Sequence, residues 1–326
     1  MYKNMLKKQI LVLFIICFFM TSFIGSVLSK SDNPTPPNQP SSGPGGSDYV
    51  HDDVKEYRYK WGAHQFWIFE PDSPKPESAP LIVFNHGWSS FFPITYLEWI
   101  YHMVKKGNIV VYPRYQFGFS IGYKRFTSNA IQAVKDAIQV LQHGDHVRPE
   151  LDNFAIVGHS LGGGITAYMA AMALDVGLPI PKAVMPVQPM IPFGPAVDLS
   201  KISSETLMVV VVGEDDNVVG DKSGKNIFYN STQIPFSQKD FIIQVTDNYG
   251  EPDLVANHNA PVCSPYFSSV DAMDYYCTWK LFDALTDYAF YGINGDYCLG
   301  NTSKQRYMGL WSDGIPVKEL IVTDSP

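Results

Sequence analysis

The sequence predicts an α/β fold with a mostly parallel central sheet covered by helices on both faces. Three observations carry that expectation. From Tyr57 onward, short apolar runs alternate with segments of helical periodicity, the mark of βαβ units. The runs are apolar throughout rather than alternating, as strands buried on both faces must be. With 45% hydrophobic and only 17% charged residues, the 326-residue chain can fill a large core and does not read as disordered or coiled coil.

Taken in order, residues 1–29 read as an export signal: Lys3, Lys7 and Lys8, an apolar stretch from Ile10 to Leu28, then a cleavage site near Ser29. The stretch is also long enough for an uncleaved membrane anchor. Residues 30–49, rich in Pro, Ser and Gly, are expected to be a flexible spacer, leaving 50–326 as the folded domain. An opening hairpin over Tyr57–Phe69 precedes the buried run Leu81–Phe84, a helix near Ile94–Lys106 and a second run Asn108–Tyr112. Ile131, Val134, Ile138 and Leu141 recur at helical spacing, with Thr127 or Ser128 as N-cap and Gly144 as stop. Further strands are expected at Phe154–Val157, Ala183–Val187, Leu207–Val212 and Phe241–Val245, and a last long helix over Val270–Tyr291.

Chemistry concentrates at Gly158-His159-Ser160-Leu161-Gly162, a G-x-S-x-G sequence between a strand and a helix. A serine on so sharp a turn projects its hydroxyl above the sheet, and the flanking glycines remove side chains that would collide there. The helix N-terminus places positive dipole and free N–H groups where negative charge would develop. A second match, Gly118-Phe119-Ser120-Ile121-Gly122, fails the context test: Pro113 and further residues separate it from its strand, and Tyr123–Phe126 intervene before any helix. Ser160 is therefore the candidate nucleophile.

Such a serine needs a base, and the expected chain order is serine, acid, histidine. Of eight histidines only His258 follows Ser160, in a loop after the last apolar strand. The acid belongs at the end of Leu207–Val212, where Glu214, Asp215 and Asp216 follow Gly213. The G-x-x-D-x-V spacing favours Asp216, the glycine turning the chain out of the sheet, and Asp215 is the rival. After the first buried strand, Asn85-His86-Gly87-Trp88 places a small residue where a backbone N–H can face a substrate oxygen. Trp88 and Leu161 are the expected oxyanion donors.

Together, HGW after one strand, GHSLGG at an elbow, GEDDNVV after another and NHNAP near the end resemble the α/β-hydrolase superfamily, over roughly Tyr57 to Gly292. The nearest branch is that of lid-poor serine esterases, in the manner of dienelactone hydrolase-like, cutinase-like and chlorophyllase-like proteins. The resemblance implies Ser160 as nucleophile, His258 as general base and acid, Asp216 as its orienting partner, no large cap domain, and no metal or organic cofactor.

The expected function is a secreted or surface-tethered hydrolase of carboxylic esters, small or polymeric. An amidase or peptidase with the same residues, or a non-catalytic binding protein on the same fold, are the alternatives. The net charge of −8, carried with no Lys/Arg block after the leader, excludes nucleic acid as a natural partner. Membrane contact is expected only through an uncleaved N-terminal anchor. His143 and His146 around Asp145 look metal-like but end a helix, where capping explains them better. Cys263, Cys277 and Cys298, in an exported chain, suggest one disulfide and one leftover thiol. Only about twenty residues separate Val187 from Leu207, where a lid is commonly inserted, and Met190–Pro195 among them holds two prolines and a glycine, so an open cleft is expected.

Overall fold

In the computed structural model, residues 33–118, 123–192, 194–266 and 268–326 are described; the leader and Ser120 lie outside them. The chain runs β1 (Asp53–Tyr59), β2 (Phe66–Asp72), β3 (Ser78–Asn85), α1 (Leu97–Lys105), β4 (Ile109–Pro113), α2 (Phe126–Leu141), β5 (Arg148–His159) and α3 (Leu161–Val176). It continues through β6 (Ala183–Val187), β7 (Leu207–Gly213), α4 (Lys222–Asn230) and β8 (Lys239–Gln244). A π-helical turn, Asp274–Trp279, leads into α5 (Lys280–Tyr291), and α6 (Ser303–Arg306) and β9 (Ile321–Thr323) close the chain.

All nine strands join one sheet in the order β1-β2-β4-β3-β5-β6-β7-β8-β9. From β4 to β8 every pairing is parallel, whereas β1 and β2 at one edge and β9 at the other run antiparallel. The expected fold class holds. Strand alternation decides which helix covers which face: Ile82 and Phe84 point to the layer of α1 and α5, with Trp99 and Phe282. Leu81 and Val83 point to that of α2 and α3, with Ile131 and Ile165. Val210 and Val212 complete the second face with α4. Each such fully buried aliphatic or aromatic side chain contributes about 1.5–3 kcal/mol, and α3, apolar nearly all round, is buried along most of its length.

Three expectations change, and two elements are new. The N-cap of α2 is Arg125 rather than Thr127 or Ser128, and Ser128 Oγ donates to the Arg125 carbonyl instead. β9 and α4 were not legible, being respectively three residues long and polar on average. The segment expected as a free spacer is docked from Pro34 on, so residues 34–326 cluster as one unit. A segment poor in apolar side chains can still bind through its backbone: Gly45 N–H donates to Asp283 Oδ2 (2.8 Å), Glu251 N–H to the Pro34 carbonyl (2.9 Å) and Tyr276 Oη to that of Asn38 (3.1 Å). A Cβ on Gly45 would lie 2.0 Å from the Tyr275 carbonyl, so only glycine permits that approach. Finally, Cys263, Cys277 and Cys298 are all free and buried, correcting the expected disulfide. Each thiol is enclosed in the apolar layer around α5 and none is bonded to another.

Candidate active site

β5 ends at His159 and α3 begins at Leu161, leaving Ser160 as the corner with φ 57° and ψ −124°. A non-glycine residue pays about 1–3 kcal/mol for such a backbone, and the surrounding contacts must hold it. They do so through the main chain: Ser160 N–H donates to the Val187 carbonyl (3.0 Å), and the Ser160 carbonyl accepts from Gly163 and Met190 (2.9 and 2.8 Å). The flanking glycines serve close approach. A Cβ on Gly162 would sit 2.1 Å from the Asn85 carbonyl oxygen, and one on Gly158 2.7 Å from the same atom. The end of β3 therefore lies directly against the elbow.

The structure brings Ser160, His258 and Asp216 into one hydrogen-bonded line. Ser160 Oγ donates to His258 Nε2 (3.0 Å) and His258 Nδ1 donates to Asp216 Oδ2 (2.8 Å). The other oxygen, Asp216 Oδ1, accepts the N–H groups of Val218 and Val219 (3.0 and 3.1 Å). Burial by itself pushes the Asp216 carboxyl up, but the bonds from His258, Val219 and Val218 outweigh it and hold it below the usual carboxylate range. Asp215 and Glu214 are exposed and turn to Thr246, which takes up Asp215 Oδ2 through its hydroxyl and Glu214 Oε2 through its N–H. Gly213 is needed for a different reason than expected. A Cβ there would meet the Ala256 carbonyl at 2.3 Å, and it is this approach that brings the His258 loop over the end of β7.

Gly87 lies on the other side of the serine. The position its Cβ would take is 3.4 Å from Ser160 Cβ, so Trp88 follows directly beside the hydroxyl. Leu161 occupies the first position of α3, where a backbone N–H has no intrahelical acceptor. The Trp88 ring is half-buried and meets Phe126 edge-on (5.8 Å). His86 stacks between Tyr112 and Tyr115 (centroids 5.2 and 4.0 Å), its ring nitrogens 2.6 and 2.7 Å from the carbonyl oxygens of Gly87 and Arg114. Burial pushes its pKa down to about 4, against the two carbonyl oxygens, which favour a proton on each ring nitrogen. Between β6 and β7 the described residues form irregular chain and one short turn, Leu199–Lys201, with no helical cover; Phe193 lies outside them.

Three side chains around the serine were not singled out from sequence: Tyr96, His159 and Gln188. His159 Nδ1 is 2.9 Å from Tyr96 Oη and His159 Nε2 3.2 Å from Gln188 Oε1, all three being buried. His159 could be set aside as the base by chain order, but its contacts depend on partners 63 and 29 residues away, which no local pattern announces. His146, one of the metal-like pair, pairs instead with Glu70 and accepts or donates at Tyr59 Oη (2.9 Å). Among the described residues no group of three or more His, Cys, Asp or Glu side chains is placed to hold a metal ion.

An open, mostly parallel sheet with a serine elbow after its central strand, an acid after β7 and a histidine after β8 is the arrangement of the α/β-hydrolase fold. Residues 55–197 match the model of the chlorophyllase family. The matched stretch takes in Trp88, Ser160 and Leu161 and ends before Asp216 and His258. It supports a hydrolase acting on esters. No curated protein matches the chain.

Proposed function

We propose that the protein is a serine hydrolase that cleaves carboxylic esters through an acyl-enzyme. The observation that carries this reading is the unbroken line Asp216–His258–Ser160, with the serine at a strained elbow. Ser160 Oγ attacks the ester carbonyl carbon while its proton passes to His258 Nε2, and the carbonyl electrons collect on oxygen, facing the N–H groups of Trp88 and Leu161. Collapse of that intermediate breaks the bond to the leaving oxygen, which takes the proton from His258. Water then adds to the acyl-serine under the same base, releasing the carboxylic acid. Asp216, ionised at neutral pH, orients the imidazole and stabilises its transient positive charge.

The absence of a helical cover over the described part of the β6–β7 connection supports access by bulky or polymeric esters as well as short ones. The basic and apolar leader supports action outside the cell or at its outer surface. A panel of 4-nitrophenyl esters and matched anilides tests the assignment. Turnover of esters that disappears in Ser160→Ala is expected; anilides cleaved faster than esters would replace the reading with an amidase.

A further inference from the structure

We propose that Tyr96, His159 and Gln188 form a hydrogen-bonded positioning chain that holds the oxyanion loop and the loop of the base in register across the nucleophile. The inference rests on the serine-hydrolase reading above. Its direction follows from donors and acceptors alone. The Gln188 amide nitrogen donates to the Asn257 carbonyl (2.8 Å), next to His258, so Gln188 Oε1 faces His159 and must accept. His159 therefore carries its proton on Nε2, and its Nδ1 accepts from Tyr96 Oη. The same hydroxyl oxygen accepts the Gly87 N–H (3.0 Å), immediately before Trp88. From Gly87 through Tyr96, His159 and Gln188 to Asn257 every link is satisfied in one sense, and a second proton on His159 would break it. Burial, with repulsion from His258 added, brings His159 down to about 3, so the neutral ring persists.

Packing leaves the chain little freedom to do anything else. The His159 ring lies 4.7 Å from that of His258. A Cβ on Gly213 would lie 2.6 Å from the Gln188 amide nitrogen, and one on Gly87 2.9 Å from Tyr96 Oη, so both glycines make room for it. Gln188 itself sits at φ 42°, a backbone that few residues other than Gly and Asn adopt, and is held by its N–H on the Val211 carbonyl (2.7 Å). Tyr96, His159 and Gln188 are thus positioning residues: the hydrogen bonds of Ser160 Oγ and the His258 ring go to one another and to Asp216, while these three set where Trp88 and His258 stand.

Tyr96→Phe removes one oxygen and keeps the ring against Phe84. In that variant kcat for 4-nitrophenyl esters should fall about 10- to 100-fold with KM changed by less than about twofold, because alignment is lost and not binding. Gln188→Leu should act similarly, and the double variant should lose little more than the worse single one, since either break opens the same chain. A kcat within about twofold of wild type in Tyr96→Phe, or losses that multiply, would overturn the proposal. Ser160→Ala in the same series separates the two claims. Activity surviving it removes the hydrolase reading, whereas activity lost there but kept in Tyr96→Phe removes only the chain. The ring-nitrogen NMR signals of His159 decide independently of turnover: an Nε2–H tautomer unchanged from about pH 5 to about pH 9 supports the chain, and an Nδ1–H tautomer or an imidazolium contradicts it.

Discussion

Replacing Asp216 by Asn changes one atom and should disable the base. Oδ1 of Asp216 accepts two backbone N–H groups, from Val218 and Val219, and Oδ2 accepts from His258. An asparagine must keep its oxygen on the two amides, because its own NH2 there would set donors against donors. The NH2 group is then left facing His258 Nδ1 at about the 2.8 Å of the native contact. It donates to Nδ1, the ring proton moves to Nε2, and that proton points at Ser160 Oγ, which has no base left to take its own. A wrong tautomer in unchanged geometry costs about 10³- to 10⁴-fold in kcat, or roughly 4–5.5 kcal/mol of barrier. Saturation kinetics on a soluble ester, with circular dichroism to verify the fold, reads the effect. The stability difference has a sign as well. The Asp216 carboxyl is held below its unfolded value, so its ionised form stabilises the fold above about pH 4, and the wild type loses this advantage over Asp216→Asn as pH falls through the folded pKa. A folded Asp216→Asn variant losing less than about tenfold in kcat would refute the reasoning.

Three further outcomes follow from other parts of the site. Gly162→Ala forces a Cβ to 2.1 Å from a backbone oxygen that cannot swing away, so the elbow and the end of β3 must separate; a loss of about 1–3 kcal/mol in stability and about a hundredfold in kcat is expected, and an unchanged Tm with full activity would contradict it. His159 is neutral in the fold, at about 3 against an ordinary 6.5, so unfolding binds one more proton between these limits. Stability by urea titration should be retained above about pH 6.5 and fall by roughly 1.4 kcal/mol per pH unit between about pH 6 and about pH 4, and a flat profile there would be inconsistent with a neutral His159. Cys263, Cys277 and Cys298 should all titrate as thiols in denatured, unreduced protein and stay unreactive in native protein, where burial pushes Cys277 up to about 12 and the other two upward as well; a single thiol among the three on denaturation would restore the disulfide.

What could be read from the sequence divides along a physical line. The buried parallel strands announced themselves because both faces are apolar, and Leu207–Val212 differs from β7 by one residue at its end. Ser160 and His258 were legible because strand, turn and helix surround one in sequence and chain order isolates the other. Asp216 was chosen over Asp215 on spacing, and the fold separates them by burial: Asp216 faces inward to His258, Asp215 outward to solvent. Tyr96, Gln188 and the docked segment from Pro34 were not legible, since each acts through partners far along the chain or through backbone groups common to every residue. The disulfide expectation failed for a related reason, because counting cysteines says nothing about which helix face encloses them.

The claim on which the rest depends is that Ser160 is an activated nucleophile, and covalent labelling reads it without choosing a substrate. Folded protein treated with a fluorophosphonate, digested and mapped by mass spectrometry should carry one label, on Ser160, with none in Ser160→Ala and strongly slowed labelling in His258→Ala. A folded wild-type protein that takes up no label, or takes it up at another serine, would contradict the account.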